Sequence, residues 1–259
     1  MKFYSAILVG IILSLFTSCQ KAEDDANHLN SKILVEGYVF ANEPVVIRVA
    51  SVNANGLSVS PPAQSAYVNI VQGDLEIPFA EVDSMPGVYC QVDTNTVLAD
   101  SGVIKLSVHY AGHSHTAQTV FPEEIAFLEI NNPIIDLQPN NVNATVATVS
   151  WSEIEGNSGY CMFLKPSEGY PFLHTSNPLY DPQQSYFSKI IHDTSVNLRT
   201  ADFAFTGNFD IYVTAIRPEY HAMYNSYGLN NLISAPSNIE NGWGIFTAFN
   251  GLSLSVTVQ

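Results

Sequence analysis

Three histidines are the first residues to ask for chemistry. His109, His113 and His115 fall on two strand-like runs, 105–110 and 113–121, joined by the turn Ala111-Gly112. His113 and His115 are two apart and share a strand face. Zinc or copper held by imidazole needs three or four ligands at about 2 Å. Neither a cysteine nor a well-spaced carboxylate completes a set here, so the alternative is a turn whose flanking residues face solvent. Other chemistry is thinner. Gly-x-Ser-x-Gly does not occur, and Glu123-Glu124 and Glu153/Glu155 sit at a junction and beside a turn, where solvated charge is the simpler reading. No glycine loop for phosphate and no dinucleotide fingerprint is present. The expectation is a protein without catalytic residues and without a cofactor.

Aromatic residues concentrate instead in two stretches. Tyr170, Phe172, Tyr180, Tyr186 and Phe187 lie in a long proline-studded segment, 165–193, and Tyr220, Tyr224 and Tyr227 fall at i, i+4 and i+7. With Trp243 these are the candidate contacts for a partner or ligand, since tyrosine and tryptophan give contact area at small entropic cost. Two readings stand for the tyrosine stripe and for Trp243: an exposed contact surface, or packing onto a sandwich.

The elements that must position these residues are strands. Period-two runs begin at Ile33–Phe40 and Val45–Ala50 and recur through Val120, about seven short strands in some ninety residues. Such spacing predicts an antiparallel sandwich over 32–122. Pro122-Glu123-Glu124 marks a boundary, and a second strand set runs through 123–259, with 165–193 and 217–245 as insertions. Pro218 to Tyr227 alone reads as helix, with proline in its first turn and Gly228 at its end. The fold class expected is all-β, two sandwiches, with one short helix and a long loop in the second. Trp151 on one strand, a glycine-rich turn and Tyr160 opening the next resemble a fibronectin type III module, as does 209–216.

Composition narrows the partners. The 24 acidic residues outnumber the 9 basic, a net charge of −15, which argues against nucleic acid and against docking on anionic headgroups. Cys90 and Cys161 lie in different strand sets. An oxidising compartment would permit a bridge between them, but two separate thiols are expected.

The first 19 residues carry one lysine, Lys2, an apolar run Ala6–Leu13, then Thr17-Ser18-Cys19. That run is well short of the roughly twenty residues a spanning helix requires. It reads as a secretory signal, 1–18. The cysteine behind small residues resembles a bacterial lipoprotein box, which implies lipid on Cys19 and a tether over 19–31. Gln20, Lys21, Glu23, Asp24 and Asp25 are similar to the acidic export tag of Bacteroidota lipoproteins, which implies a cell-surface location. Near the C-terminus, Arg217-Pro218-Glu219-Tyr220, Pro236-Ser237-Asn238-Ile239 and Asn241-Gly242-Trp243-Gly244-Ile245-Phe246 resemble the closing motif of the Bacteroidota lipoproteins grouped as domain-of-unknown-function family 4249. Leu34–Val39 and Pro86-Gly87-Val88-Tyr89 fit the same pattern. The resemblance implies an outer-membrane lipoprotein beside a TonB-dependent receptor; the aromatic insertions are expected to contact that receptor, a peptide or a glycan. Alternatives are a surface adhesin or fimbria-like subunit and, more remotely, a divergent hydrolase.

Overall fold

The computed structural model describes residues 32–52, 59–138, 140–167, 186–187, 190–203, 206–226 and 236–259. Among the described residues the fold is all-β, as the alternation implies, with one short α-helix. Eight strands come from the first half: β1 (Ile33–Phe40), β2 (Val46–Val52), β3 (Val59–Pro62), β4 (Tyr67–Gln72), β5 (Leu75–Val82), β6 (Met85–Gln91), β7 (Val103–Tyr110) and β8 (His113–Val120). The second half adds β9 (Leu128–Ile130), β10 (Ile134–Ile135), β11 (Thr145–Trp151), β12 (Tyr160–Pro166), β13 (Tyr186–Phe187), β14 (Ser195–Arg199) and β15 (Gly207–Ala215). Helix α1 (Pro218–Asn225), β16 (Trp243–Phe249) and β17 (Gly251–Val258) close the chain.

The first unit is one hydrogen-bonded path, β16-β1-β2-β6-β5-β4-β7-β8, with β3 on β2. It makes two layers because β5 belongs to both. Its first half, Leu75–Pro78, pairs with β4, and Phe79–Val82 pairs with β6. A strand that bends from one sheet into the other is how a sandwich turns a corner. Alternating residues from both layers, among them Val35, Ile47, Val49, Ile70, Leu106 and Phe246, fill the space between them.

One strand of this unit crosses the division expected at residues 122 and 123. Strand β16 lies parallel to β1, Leu34 opposite Trp243 through Phe40 opposite Phe249. It begins in the last residues of the stretch 217–245, which sequence assigned to the second sandwich as an insertion, and runs on to Phe249. The cause is apolarity on both faces: residues 245–249 are all buried, as are 37–40 of β1. A strand with two greasy faces is stable only between two layers. Phe246 and Ala248 face the first core, whereas Ile245 and Phe249 face away from it, toward the second unit.

The second unit has a three-stranded sheet, β14-β11-β9, and a five-stranded one, β10-β17-β15-β12-β13. Trp151 on β11 meets Tyr160 on β12 edge-on, ring centroids 5.5 Å apart, in the middle of this core. Cys90 and Cys161 are free thiols; Cys161 is buried and Cys90 half-buried.

A third cluster joins the units. Tyr38 and Phe40 of β1, Ile245 and Phe249 of β16, Cys161 and Phe163 of β12, Ile216, and Tyr220 of α1 form one buried patch. Strand β12 is therefore buried on both faces, which explains its unbroken run Tyr160-Cys161-Met162-Phe163-Leu164. Asn250 adds a polar tie, its Nδ2 donating to the carbonyl of Pro122 at 3.3 Å.

Candidate interaction site at the junction of the sandwiches

The second unit fixes where its inserted segments leave the body. In chain order its strands play the roles A (β9, then β10 beside the last strand), B (β11), C (β12), C′ (β13), E (β14), F (β15) and G (β17). The sheets are E-B-A and C′-C-F-G. This is a fibronectin type III-like sandwich. In place of a short F–G turn it carries a long excursion, 216–250, which contains α1 and β16. Strand β17 then rejoins β15 in continuous antiparallel register, Thr214 opposite Gly251.

Helix α1 begins because Pro218 occupies its first position, where no N–H is needed. Glu219 in that first turn anchors it. Its Oε1 accepts from Thr119 Oγ1 on β8 at 2.7 Å and from Thr247 Oγ1 on β16 at 3.2 Å. Arg217 Nε lies 3.9 Å from the same oxygen. One half-buried carboxylate thus ties α1 to two strands of the first unit.

The tyrosine stripe resolves in favour of packing. Tyr220 is buried, its ring edge-on to Phe249 at 5.3 Å and its hydroxyl 3.7 Å from Cys161 Sγ. Burial, and then the neighbouring thiol, push the Tyr220 hydroxyl pKa far up, so it stays neutral. Tyr224 is half-buried, 6.3 Å from Tyr220. Trp243 is buried as well, with Lys32 Nζ 4.5 Å from its ring centroid, a cation over an aromatic face. As contact residues Tyr220 and Trp243 are thus corrected to core positions. Tyr186 and Phe187 form β13, opposite Leu164 and Phe163 of β12. Tyr170, Phe172, Tyr180 and Tyr227 lie outside the described residues, as do Cys19, Gln20, Lys21, Glu23, Asp24 and Asp25.

The structure does bring the two inserted stretches together. Ile191 bridges to Tyr160, and His192 beside it meets His221 of α1, ring centroids 6.3 Å apart. Asn225, one turn on, places its amide 3.2 Å from His221 Nε2. Neither histidine was singled out by sequence; only a register for the C–E connection would have placed them together. This corner presents two imidazoles and an amide, a hydrogen-bonding surface.

The histidine hairpin splits. In the β7–β8 register His109 stands opposite Ser114, Val108 opposite His115, and Tyr110 opposite His113. His109 therefore lies on the outer face, its Nδ1 2.9 Å from Ser114 Oγ and its ring 6.0 Å from that of exposed Tyr67. His115 points inward and is 1% exposed. The three imidazoles do not converge, so they are not one ligand set.

No family model matches the chain, and no curated protein matches it. Among solved structures, the chicken CNTN1 FN1–FN3 domains align with 87% of this chain at 11% identity and a TM-score of 0.27. The chain spans 64% of that structure's length. The assignment of the second unit as fibronectin type III-like stands on its strand pairing, independently of that superposition.

Proposed function

We propose that the chain is a lipid-anchored, surface-exposed lipoprotein of a bacterial outer membrane that binds without catalysing. It serves as an accessory or ligand-binding subunit beside a TonB-dependent receptor. The observation that carries the reading is the meeting of two inserted segments at one corner of a body welded by a shared apolar cluster. Such a body brings His192 and His221, at the roots of the two insertions, together, and inserted segments on a folded body are where binding residues are commonly carried. Thr17-Ser18-Cys19 supplies the anchor in this reading, and the acidic run after it supplies export. The motifs that resemble those of the Bacteroidota lipoprotein family named above support the company of a receptor. A peptide or glycan is the ligand class that an aromatic, hydrogen-bonding surface suits.

Two results are expected. Replacing Cys19 (Cys19→Ser) abolishes incorporation of an alkyne-tagged fatty acid and shifts the protein from the membrane to the soluble fraction. Each buried methylene contributes about 0.8 kcal/mol to the hold, and more than one chain is needed for durable anchoring. Second, mild-detergent purification of the lipidated protein brings down an integral outer-membrane protein. A wild-type chain that takes no label, or one recovered alone with neither partner nor ligand, overturns the reading.

A further inference from the structure

The two edges of the first unit's strand path, β8 and β16, nearly meet. The segment between them is 236–242. Asn238 fills the edge of β16: its Oδ1 accepts from Phe246 N–H at 2.9 Å and its Nδ2 donates to the Phe246 carbonyl at 2.7 Å. On the other side Glu240 N–H donates to the Thr116 carbonyl at 2.7 Å, and Thr116 Oγ1 donates to Glu240 Oε2 at 2.7 Å. Asn241 Nδ2 reaches the Ser114 carbonyl at 3.5 Å. The segment works as a plug that closes the unit along a seam of polar contacts, with Ile239 buried in the first core beneath them.

His115 sits at the centre of that seam. Its Nδ1 lies 3.0 Å from the Asn241 carbonyl oxygen, so Nδ1 carries the proton and donates it. Nε2 is then a lone pair, and it is buried with no hydrogen-bond partner among the described residues. A second proton would have to sit there as a charge without an acceptor, which a buried site resists. Among the described residues the charged and titratable groups around it are few. His113 shares its strand, His109 and Tyr110 lie on β7, Glu240 belongs to the plug, and Lys32 rests over Trp243 beyond Gly242. Glu240 is already held by Thr116 Oγ1.

We propose that His115 makes the seam an acid-released latch, in which protonation of its imidazole frees the plug from β8 while the rest of the first unit stays folded. Burial holds the His115 pKa below its usual value; the Asn241 carbonyl offsets this in part, and His113 and His109 add to the depression. The sign follows. Above the free-imidazole value of about 6.5 both closed and open states are neutral and the latch has its full strength. As pH falls below that value only the open state takes the proton, so closure weakens.

Hydrogen exchange of the Glu240 amide, corrected for the intrinsic rate, reads the opening directly. With the closed state unable to bind the proton, the opening equilibrium rises about tenfold between about pH 7.5 and about pH 5.5. Amides of the β1–β2 pairing keep their protection over the same range. His115→Asn retains a donor near the Nδ1 position and cannot titrate, so its Glu240 amide shows no such rise. Three outcomes overturn the proposal. One is unchanged protection of Glu240 in the wild type. Another is equal loss in His115→Asn, which transfers the effect to Glu240 or another group. The third is loss of β1–β2 protection in step with Glu240, which makes it global unfolding.

Discussion

Replacing Phe249 by alanine lowers the stability of the protein by about 3–5 kcal/mol, the range for deleting a buried phenyl ring. Phe249 is fully buried and stacks on Phe40 at 4.9 Å, with Phe163 and Tyr220 edge-on at 5.3 Å each. Three of these rings belong to different elements, β1, β12 and α1, so no single neighbour can collapse into the space. The loss therefore falls on the weld between the sandwiches. The chain has two tryptophans, and they report on different units: Trp151 in the second core, Trp243 beside β1. In backgrounds carrying Trp151→Phe or Trp243→Phe, urea midpoints by fluorescence should coincide when Phe249 is present. With Phe249→Ala they should fall and separate. Phe127→Ala, at a position 48% exposed, serves as control and should stay within about 0.5 kcal/mol. A shift below about 1 kcal/mol for Phe249→Ala would show that the cluster is not what couples the units.

Gly244→Ala should be at least as damaging, for a backbone reason. Gly244 has φ near +106°, a region that side-chain-bearing residues rarely adopt. A Cβ there would stand 1.9 Å from the Val35 carbonyl oxygen, and that atom belongs to the strand β16 must pair with. Neither strand can yield without breaking the parallel register. The expected cost is about 3 kcal/mol or more. Thermal unfolding should show a large drop in midpoint, and exchange should show lost protection along β1. Gly73→Ala is the instructive comparison: φ is also positive, but nothing lies within 4 Å of the added carbon, so only local strain remains.

Much of this fold could be read from the chain, because period-two alternation is a local property. The β7–β8 hairpin, β11 with Trp151, and the regular β17 all lie where alternation puts them. The helix begins at Pro218 for the reason the sequence advertises, although it ends at Asn225. What could not be read was long-range. Strand β16 pairs with β1 across about two hundred residues of intervening chain, and nothing local names that partner. A hint existed in the unbroken apolar runs of both strands, which mark strands covered on two sides. The split of the histidines was also within reach. Ala111-Gly112 is a two-residue turn with both φ angles positive, so Tyr110 must face His113 and His109 must face Ser114. Applying that register would have separated His109 from the other two. The packing of Tyr220 depended on the third cluster, whose members come from both sandwiches and both ends of the chain.

The route of the C-terminal segment imposes an order of assembly. Residues 32–122 come off the ribosome first, yet their sheet lacks a member until residues 243–249 have been made. A product truncated before Trp243 therefore leaves β1 with a bare, apolar margin, an easy target for proteases and for chaperones that hold exposed strands. Closure of the first sheet is thus deferred by the fold itself: strands made early stay uncovered along β1 until β16 has followed them.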